Sequence, residues 1–405
     1  MSRKVGLWLI GAYGGVSTTV AVGLAALQKQ LTSNCGIVSS LPEFNQLDLI
    51  DWENVILGGH DIRESDVQTE AEAISHGYNP VIDPRIVAQC SEEIKQFDQA
   101  IRPGVLVNAG QAIENLSSPN HSSIHSTCNT AIEQVAADLA NFKQENACDM
   151  VVVINLASTE PPVDASQLPA TWAELEAGLN SGQVKDLPSS TVYAIAAIKQ
   201  KMPFVNFTPS LGNDLPAVCD LAEQGGTCHM GQDGKTGETF LKSVLAPAFA
   251  KRNLEIMSWV GHNIFGNMDG QILDDQANKE TKVVSKGRML EHMLGYQPQS
   301  HISIEYIKSL GDWKTAWDHI HFKGFLGTPM TMQFTWQGCD SILAAPLVLD
   351  LFRFTELAQR NGQSGLMPHL ASFFKSPINT PDHDFSKQFE WLVHWSDDQA
   401  KLDAK

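Results

Sequence analysis

The chain has 405 residues, more than the roughly 250–300 at which a single hydrophobic core stops growing, so two domains are expected. Hydrophobic residues make up 43% and charged residues 18%, an ordinary balance that supplies a large core without staples. Lys+Arg number 28 against 46 Asp+Glu, for a net charge of -18, which argues against the basic surface that nucleic acid or an anionic membrane requires.

The first element is Val5–Ile10, a short apolar run that reads as a buried strand. It opens an uncharged stretch, Val5–Leu27, that follows Arg3-Lys4 and so resembles an export signal or a membrane span. Glycines 11, 14, 15 and 23 interrupt it, and Gly6 precedes them. Because glycine weakens a helix, strand, tight turn and helix (Thr18–Leu27) is the better reading. The turn, Gly11-Ala12-Tyr13-Gly14-Gly15-Val16, lets a backbone approach a pyrophosphate, with a helix N-terminus behind it. A tight βα turn without a ligand would use the same glycines.

Val55–Leu57 before Gly58-Gly59 is a second short strand. Asp61 follows it as a carboxylate for adenosine ribose hydroxyls, or as a helix cap or surface acid. Gly104–Asn108, Met150–Asn155 and Pro203–Asn206 are further β-branched runs, with helical patterns at Ser122–Gln144 and Ser190–Lys201. Strands alternating with helices predict a parallel sheet covered on both faces. Ala157-Ser158-Thr159, directly after a strand, suits a nicotinamide or diphosphate contact, or is a plain loop. Pro162–Ser189 is polar and reads as a surface excursion. Past Gly234 the character changes. A helix over Thr239–Lys251, a strand over Ile256–Val260, and strands over Ser300–Lys308 and Met330–Trp336 predict a second sheet. Ser341–Gln359 is an apolar helix returning to the first domain. His262, beside Asn263, reads as a core or loop histidine, with a catalytic role as the alternative. The seven cysteines are odd in number, scattered and never paired as C-x-x-C, which fits a reducing, cytoplasmic setting.

Lysines are scarce, yet Lys282 and Lys286 stand one helical turn apart, where like charges repel by roughly 0.2–0.5 kcal/mol. An anion between them would remove that cost. Taken one at a time, such lysines are solvated surface residues. Their joint pattern with Lys314, Lys375, Asp233, Asp269 and Asp340 is what carries the functional reading.

All of these residues but Lys282 fall in motifs: Gly231-Gln232-Asp233-Gly234-Lys235-Thr236-Gly237-Glu238-Thr239, Gly266-Asn267-Met268-Asp269-Gly270, Ser285-Lys286, Gly311-Asp312-Trp313-Lys314, Cys339-Asp340-Ser341 through Pro346, and Phe373-Phe374-Lys375-Ser376-Pro377. In order and spacing they resemble the myo-inositol-1-phosphate synthase (inositol-3-phosphate synthase) family. The resemblance implies an α/β fold. A Rossmann-type parallel-sheet NAD domain, residues 1–233 and 341–405, would be joined to a second α/β catalytic and oligomerisation domain, residues 234–340. It also implies a homotetramer.

The activity implied is an isomerisation that uses NAD+ without net redox change. Glucose 6-phosphate is oxidised at C5, enolised at C6, closed by aldol attack on C1 and reduced again. Ammonium groups in a water-poor pocket stabilise the oxyanions of such a sequence, and crowded buried lysines can shuttle protons near neutral pH. By resemblance, Lys282 handles the C5 hydroxyl proton, Lys286 and Lys314 lie near the C1 oxygen or the phosphate, and Lys375 stabilises the C5 oxyanion. Asp233, Asp269 and Asp340 balance the lysines and line the nicotinamide. Lys235, Thr236, Gly237 and Asn267 are substrate contacts, and Gln111, Asp312 and Ser341 join the cofactor contacts. Family members also differ in needing a divalent or monovalent cation, which the acids here permit. Two rivals are a related enzyme on another sugar phosphate or cyclitol, with altered loops near Met268 and Gln271, and a simple dehydrogenase. A third is a catalytically silent NAD-binding or scaffolding protein, which would have no need of the lysine set.

Overall fold

The computed structural model describes residues 3–76, 79–124, 127–266 and 290–403. Its larger sheet is built from β1 (Val5–Ile10), β2 (Val55–Asp61), β3 (Ile101–Leu106), β4 (Ser122–Ile124), β5 (Met150–Asn155), β6 (Phe204–Asn206), β7 (Cys228–Gly231) and, from near the other end of the chain, β12 (Gly365–Leu366). The order is β12-β7-β6-β5-β1-β2-β3-β4, and every pairing is parallel. β1 is central because it is apolar throughout and buried on both faces, as a strand covered by helices on each side must be.

The helices in chain order are α1 (Gly15–Gln28), α2 (Val67–His76), α3 (Pro84–Gln89), α4 (Ser91–Gln99), α5 (Gln111–Glu114), α6 (Cys128–Glu145), α7 (Trp172–Ser181), α8 (Ser189–Lys199), α9 (Pro216–Gly225), α10 (Gly237–Lys251), α11 (Asp340–Arg360) and α12 (Phe385–Asp403). One core lies between the large sheet and α1, α4 and α11, with Leu7, Leu9, Val348 and Phe352 at its centre. A second lies on the opposite face, where Trp8, Val151 and Val153 meet α6, α8 and α9. The chain leaves β1 for β2 on one side and later returns to β5 on the other. The crevice between the carboxyl ends of β1 and β5 is therefore a topological switch point, where open α/β sheets bind ligands.

The smaller sheet has β8 (Glu255–Phe265), β9 (Gln299–Tyr306), β10 (Trp313–Lys323) and β11 (Pro329–Cys339) in the order β11-β10-β8-β9. β8 and β9 run parallel and the other pairs antiparallel. Its inner face packs on α10 through Ile256, Trp259 and Ile320 against Ala246 and Phe249. That interface also buries an ion cluster. Lys242 of α10 bonds Glu238 and lies 4.0 Å from Asp318 of β10, which accepts the Trp259 indole N–H at 2.6 Å. Burial, then the Glu238 charge, pushes the Asp318 carboxyl up to about 6. The outer face carries His262, Ile264 and Trp317, with His262 stacked on Trp317 at 5.7 Å and 11°. His262 is thus neither a core nor a loop histidine but an exposed strand residue.

Four expectations need correction. Ser122–Gln144 is not one helix: β4 comes first, and the helix begins at Cys128, capped by Thr127. Pro162–Ser189 is not a bare excursion, because α7 within it buries Trp172, Leu175 and Leu179. β7, β10 and the C-terminal helix α12 were not anticipated. Ile256–Val260 is only part of β8, which continues to Phe265.

Candidate active site

Gly11 takes φ +83, and a Cβ there would stand 2.9 Å from the Ala157 Cα. Only glycine lets the β1 turn lie against the β5 loop. The backbone N–H groups of Gly11 and Ala12 donate to the His60 carbonyl, fastening this turn to β2. No side chain caps α1 at Gly14, so its first-turn amides and positive dipole are left to the crevice. A cavity of about 300 Å³ lies there, lined by Gly11, Tyr13, Gly14, Gly15, Val16, Asp61, Ala157 and Ser158 together with Asp312, Asp340 and Ser341 of the smaller-sheet side. These residues fit a dinucleotide: a glycine turn, an uncapped helix start and an acid at the end of β2.

Asp61 is buried, and its carboxylate accepts the N–H groups of Tyr13 at 2.7 Å, Ile62 at 2.8 Å and Arg63 at 2.9 Å. It is neither a helix cap nor a surface acid. Asp312 accepts bonds from the Ser341 hydroxyl and, at 2.7 Å, the Cys339 thiol, which ties the turn before β10 to the start of α11. Ala12 is buried behind the turn. Gln111 is exposed and bonded to Asn115, and does not line the cavity.

A second cavity, of about 130 Å³, shares Val16, Leu156, Ala157 and Asp340 with the first, so the two have a common wall. Thr159, Thr208, Asp233, Thr236, Thr239, Asn263, Lys314 and Lys375 line it. Its floor is shaped by a buried polar network: Asn155 donates to Asn206 at 3.1 Å and to Thr208 at 3.2 Å, and Asn206 donates to the Ser210 carbonyl at 2.7 Å. A side chain at Gly234 would overlap the Phe207 ring of this wall.

The lysines arrive from distant places. Residues 231–235 pair with 373–378: Ile378 N–H bonds the Gly231 carbonyl, Gln232 and Ser376 exchange bonds, Lys375 N–H bonds the Asp233 carbonyl at 2.6 Å and Lys235 N–H the Phe373 carbonyl at 2.7 Å. This ladder sets the Lys375 ammonium 2.8 Å from the Asp233 carboxylate. Lys314, at the start of β10, lies 3.5 Å from Asp340 and 5.3 Å from the centre of the Phe265 ring. Both ammonium groups are mostly buried, 17% exposed for Lys314 and 20% for Lys375. Thr236 stands at the N-cap of α10 without a side-chain cap bond, and Gly237 follows with φ +55. Two acid-paired ammonium groups and an uncapped helix start line this pocket, donors that suit an anionic group.

Lys235 departs from the expectation. Its side chain turns away from the cavity, is 4% exposed, and donates to Gln388 of α12 at 2.6 Å. Burial lowers its ammonium to about 7. It is a buried tie, not a lining residue. Asn267, Asp269, Lys282 and Lys286 lie outside the described residues.

Several lining residues escaped the sequence reading, and two of them stand out. Asn263 is 1% exposed, and neither amide atom has a partner among the described residues. Its signal was a polar residue at an inward position of the alternating strand β8. Glu160, buried in the wall of the larger cavity, accepts bonds from the Ser190 N–H at 3.0 Å and the Ser190 hydroxyl. Burial pushes its carboxyl up to about 7 against those bonds.

A switch-point crevice of this shape is the mark of a dinucleotide-binding α/β enzyme of the Rossmann type. The comparisons with known proteins narrow the class. The family model for myo-inositol-1-phosphate synthase, an NAD-binding family, matches residues 5–396. The chain is 32% identical to inositol-3-phosphate synthase 1 of Bacteroides thetaiotaomicron, covering 96% of this chain and 94% of that protein. It is 28% identical to a probable inositol 3-phosphate synthase isozyme 3 of Arabidopsis thaliana, over 88% of this chain and 75% of that one. The fold matches the crystal structure of inositol-3-phosphate synthase from Caenorhabditis elegans with a TM-score of 0.86 at 22% identity, covering 99% of this chain and 86% of that one. A myo-inositol-1-phosphate synthase-related protein from Thermotoga maritima matches at 0.78 and 22% identity, covering 98% and 99%. The chain belongs to the myo-inositol-1-phosphate synthase family.

Proposed function

We propose that this protein is an inositol-3-phosphate synthase, converting D-glucose 6-phosphate to 1D-myo-inositol 3-phosphate. The observation that carries the reading is the common wall between a dinucleotide crevice and a pocket holding two acid-paired lysines. NAD+, when bound in the crevice, supplies oxidation at C5 and its reversal. Gly11, Gly14, Gly15 and the first turn of α1 hold the pyrophosphate, and Asp61 the ribose. Thr236, Thr239 and the start of α10 take the substrate phosphate, with Lys314 beside it. Lys375 stabilises the C5 oxyanion, held in place by Asp233. Asp340 orients Lys314 from the wall common to both cavities, where it would line the nicotinamide site. Lys282 and Lys286 complete the cation set by the family resemblance, Lys282 taking the C5 hydroxyl proton. Such groups act by stabilising charge as it develops on oxygen.

The division into residues 1–233 with 341–405 and residues 234–340 is part of the same reading, supported by the return of α11 onto α1 after β11. So is a homotetramer assembled through the outer face of the smaller sheet, supported by the exposed Trp317 and Ile264 there. A cytoplasmic setting is consistent with cysteines that are all free. No described helix is long and apolar enough to cross a membrane. Among the described residues no three His, Cys, Asp or Glu side chains cluster as a metal site.

The test is to incubate the protein with NAD+ and glucose 6-phosphate, with and without a chelator, and to follow products by phosphorus NMR. Inositol phosphate forming without accumulation of NADH is the expected result. Steady NADH release would replace the reading with a dehydrogenase. Inertness toward glucose 6-phosphate alongside turnover of another sugar phosphate would move the substrate. Loss of turnover in the chelated sample alone would reveal a cation requirement.

A further inference from the structure

At the adenosine end of the crevice three charged side chains form a chain of contacts. Asp61 ends β2. Arg63 follows it, and its guanidinium lies 3.2 Å from Glu70 Oε1 and 3.5 Å from Asp61 Oδ1. Glu70 sits in the first turn of α2 and also accepts the Ser65 hydroxyl at 2.7 Å. All three line the larger cavity. Their side chains are 3%, 19% and 25% exposed for Asp61, Arg63 and Glu70 respectively, so the guanidinium is held largely inside the wall.

In this fold the residue at the end of β2 meets the adenosine ribose. A carboxylate there selects the free 2′-hydroxyl, and an arginine nearby accommodates a 2′-phosphate. This chain carries both kinds of residue. The Asp61 carboxylate already accepts three backbone N–H groups. A carboxylate offers about four acceptor positions, which leaves about one for a ribose hydroxyl. Arg63 has the right chemistry for a phosphate, a planar fork of donors. One of its five N–H donors, on Nη1, is given to Glu70, and its charge is shared with Glu70 and with Asp61, 3.5 Å from Nε, which holds the fork against the wall. The local sum is two negative charges against one positive, and a 2′-phosphate would add more negative charge to it.

We infer that Glu70 sets the cofactor choice of this enzyme: by holding the Arg63 guanidinium, it denies a 2′-phosphate its only local cation among the described lining residues and keeps the crevice selective for NAD+ over NADP+. Glu70 acts through Arg63 and is a positioning residue. The inference rests on the NAD-dependent reading above, and binding of the two nucleotides tests each separately.

The experiment is calorimetric titration of the intact protein with NAD+ and with NADP+, for the unaltered chain, Glu70→Gln, and Glu70→Gln combined with Arg63→Ala. Tight NAD+ binding by the unaltered chain checks the underlying reading. For Glu70→Gln, NADP+ should bind about tenfold more tightly, the worth of one released charge-assisted hydrogen bond, while the NAD+ dissociation constant stays within about threefold. The double variant should lose the gain. Unchanged discrimination in Glu70→Gln overturns the inference, as does a gain that survives removal of Arg63. A parallel loss of both nucleotides would make Glu70 a structural support and overturn it as well.

Discussion

Asn263 carries an unusual cost. A buried amide without partners loses about 1–3 kcal/mol relative to one that is hydrogen-bonded. Yet its neighbours on the inner face of β8, Trp259 and Phe265, are apolar and well packed. With no partner among the described residues, this amide at the pocket wall can serve a polar group of a ligand such as a sugar hydroxyl. Asn263→Val should therefore raise stability by about 1 kcal/mol in urea denaturation while lowering turnover of glucose 6-phosphate at least tenfold. A variant with normal turnover would remove Asn263 from the substrate wall. Glu160 offers a test in pH. Its carboxyl titrates near 7 in the fold against an ordinary value of 4.5, so the folded protein holds the extra proton between the two. Stability from this group is fully present below about pH 4.5 and is lost as pH rises through about 7. Glu160→Gln should flatten that decline in thermal melts taken across the window, and an unchanged slope would show that the carboxyl does not titrate there.

Elements differ in how much of themselves they wrote into the sequence. β1, the glycine turn and α1 were legible because a continuous apolar run followed by clustered glycines has few other solutions. β10 was not. Its inward Asp318 accepts the Trp259 indole N–H of β8 and lies beside Lys242 and Glu238 of α10, and its outward face carries Trp317, His319 and His321. A strand whose polar residue is paid for by a distant helix shows no clean alternation. α7 hid for a related reason, since only one side of it is buried. The lysine motifs gave away which segments gather at the pocket, but not which way each side chain points. Lys235 stands in the middle of the most telling motif and still turns away from the pocket to a buried bond with Gln388, a direction set by a helix far along the chain. That tie predicts a second pH effect, opposite in slope to that of Glu160. Burial lowers Lys235 from 10.5 to about 7, so the unfolded chain holds more protons between those values. Stability should rise with pH across that window. Lys235→Met should remove the rise, measured as urea midpoints on the alkaline side of neutrality, and a persistent rise would assign it to another group.

For the molecule as a whole, the outer face of the smaller sheet and the crevice set its behaviour. Trp317, 37% exposed and stacked on His262, lies in the middle of a face that no described element covers. If copies of the chain meet there, Trp317→Lys should shift the protein to smaller species in light scattering, with its far-ultraviolet dichroism unchanged. An unaltered mass would direct assembly to another surface. The ladder between residues 231–235 and 373–378 has a consequence for biosynthesis. On a ribosome, the glycine turn and seven strands of the large sheet emerge long before Lys375 does. A nascent chain thus holds Asp233 without the ammonium opposite it until the segment carrying Lys375 has emerged.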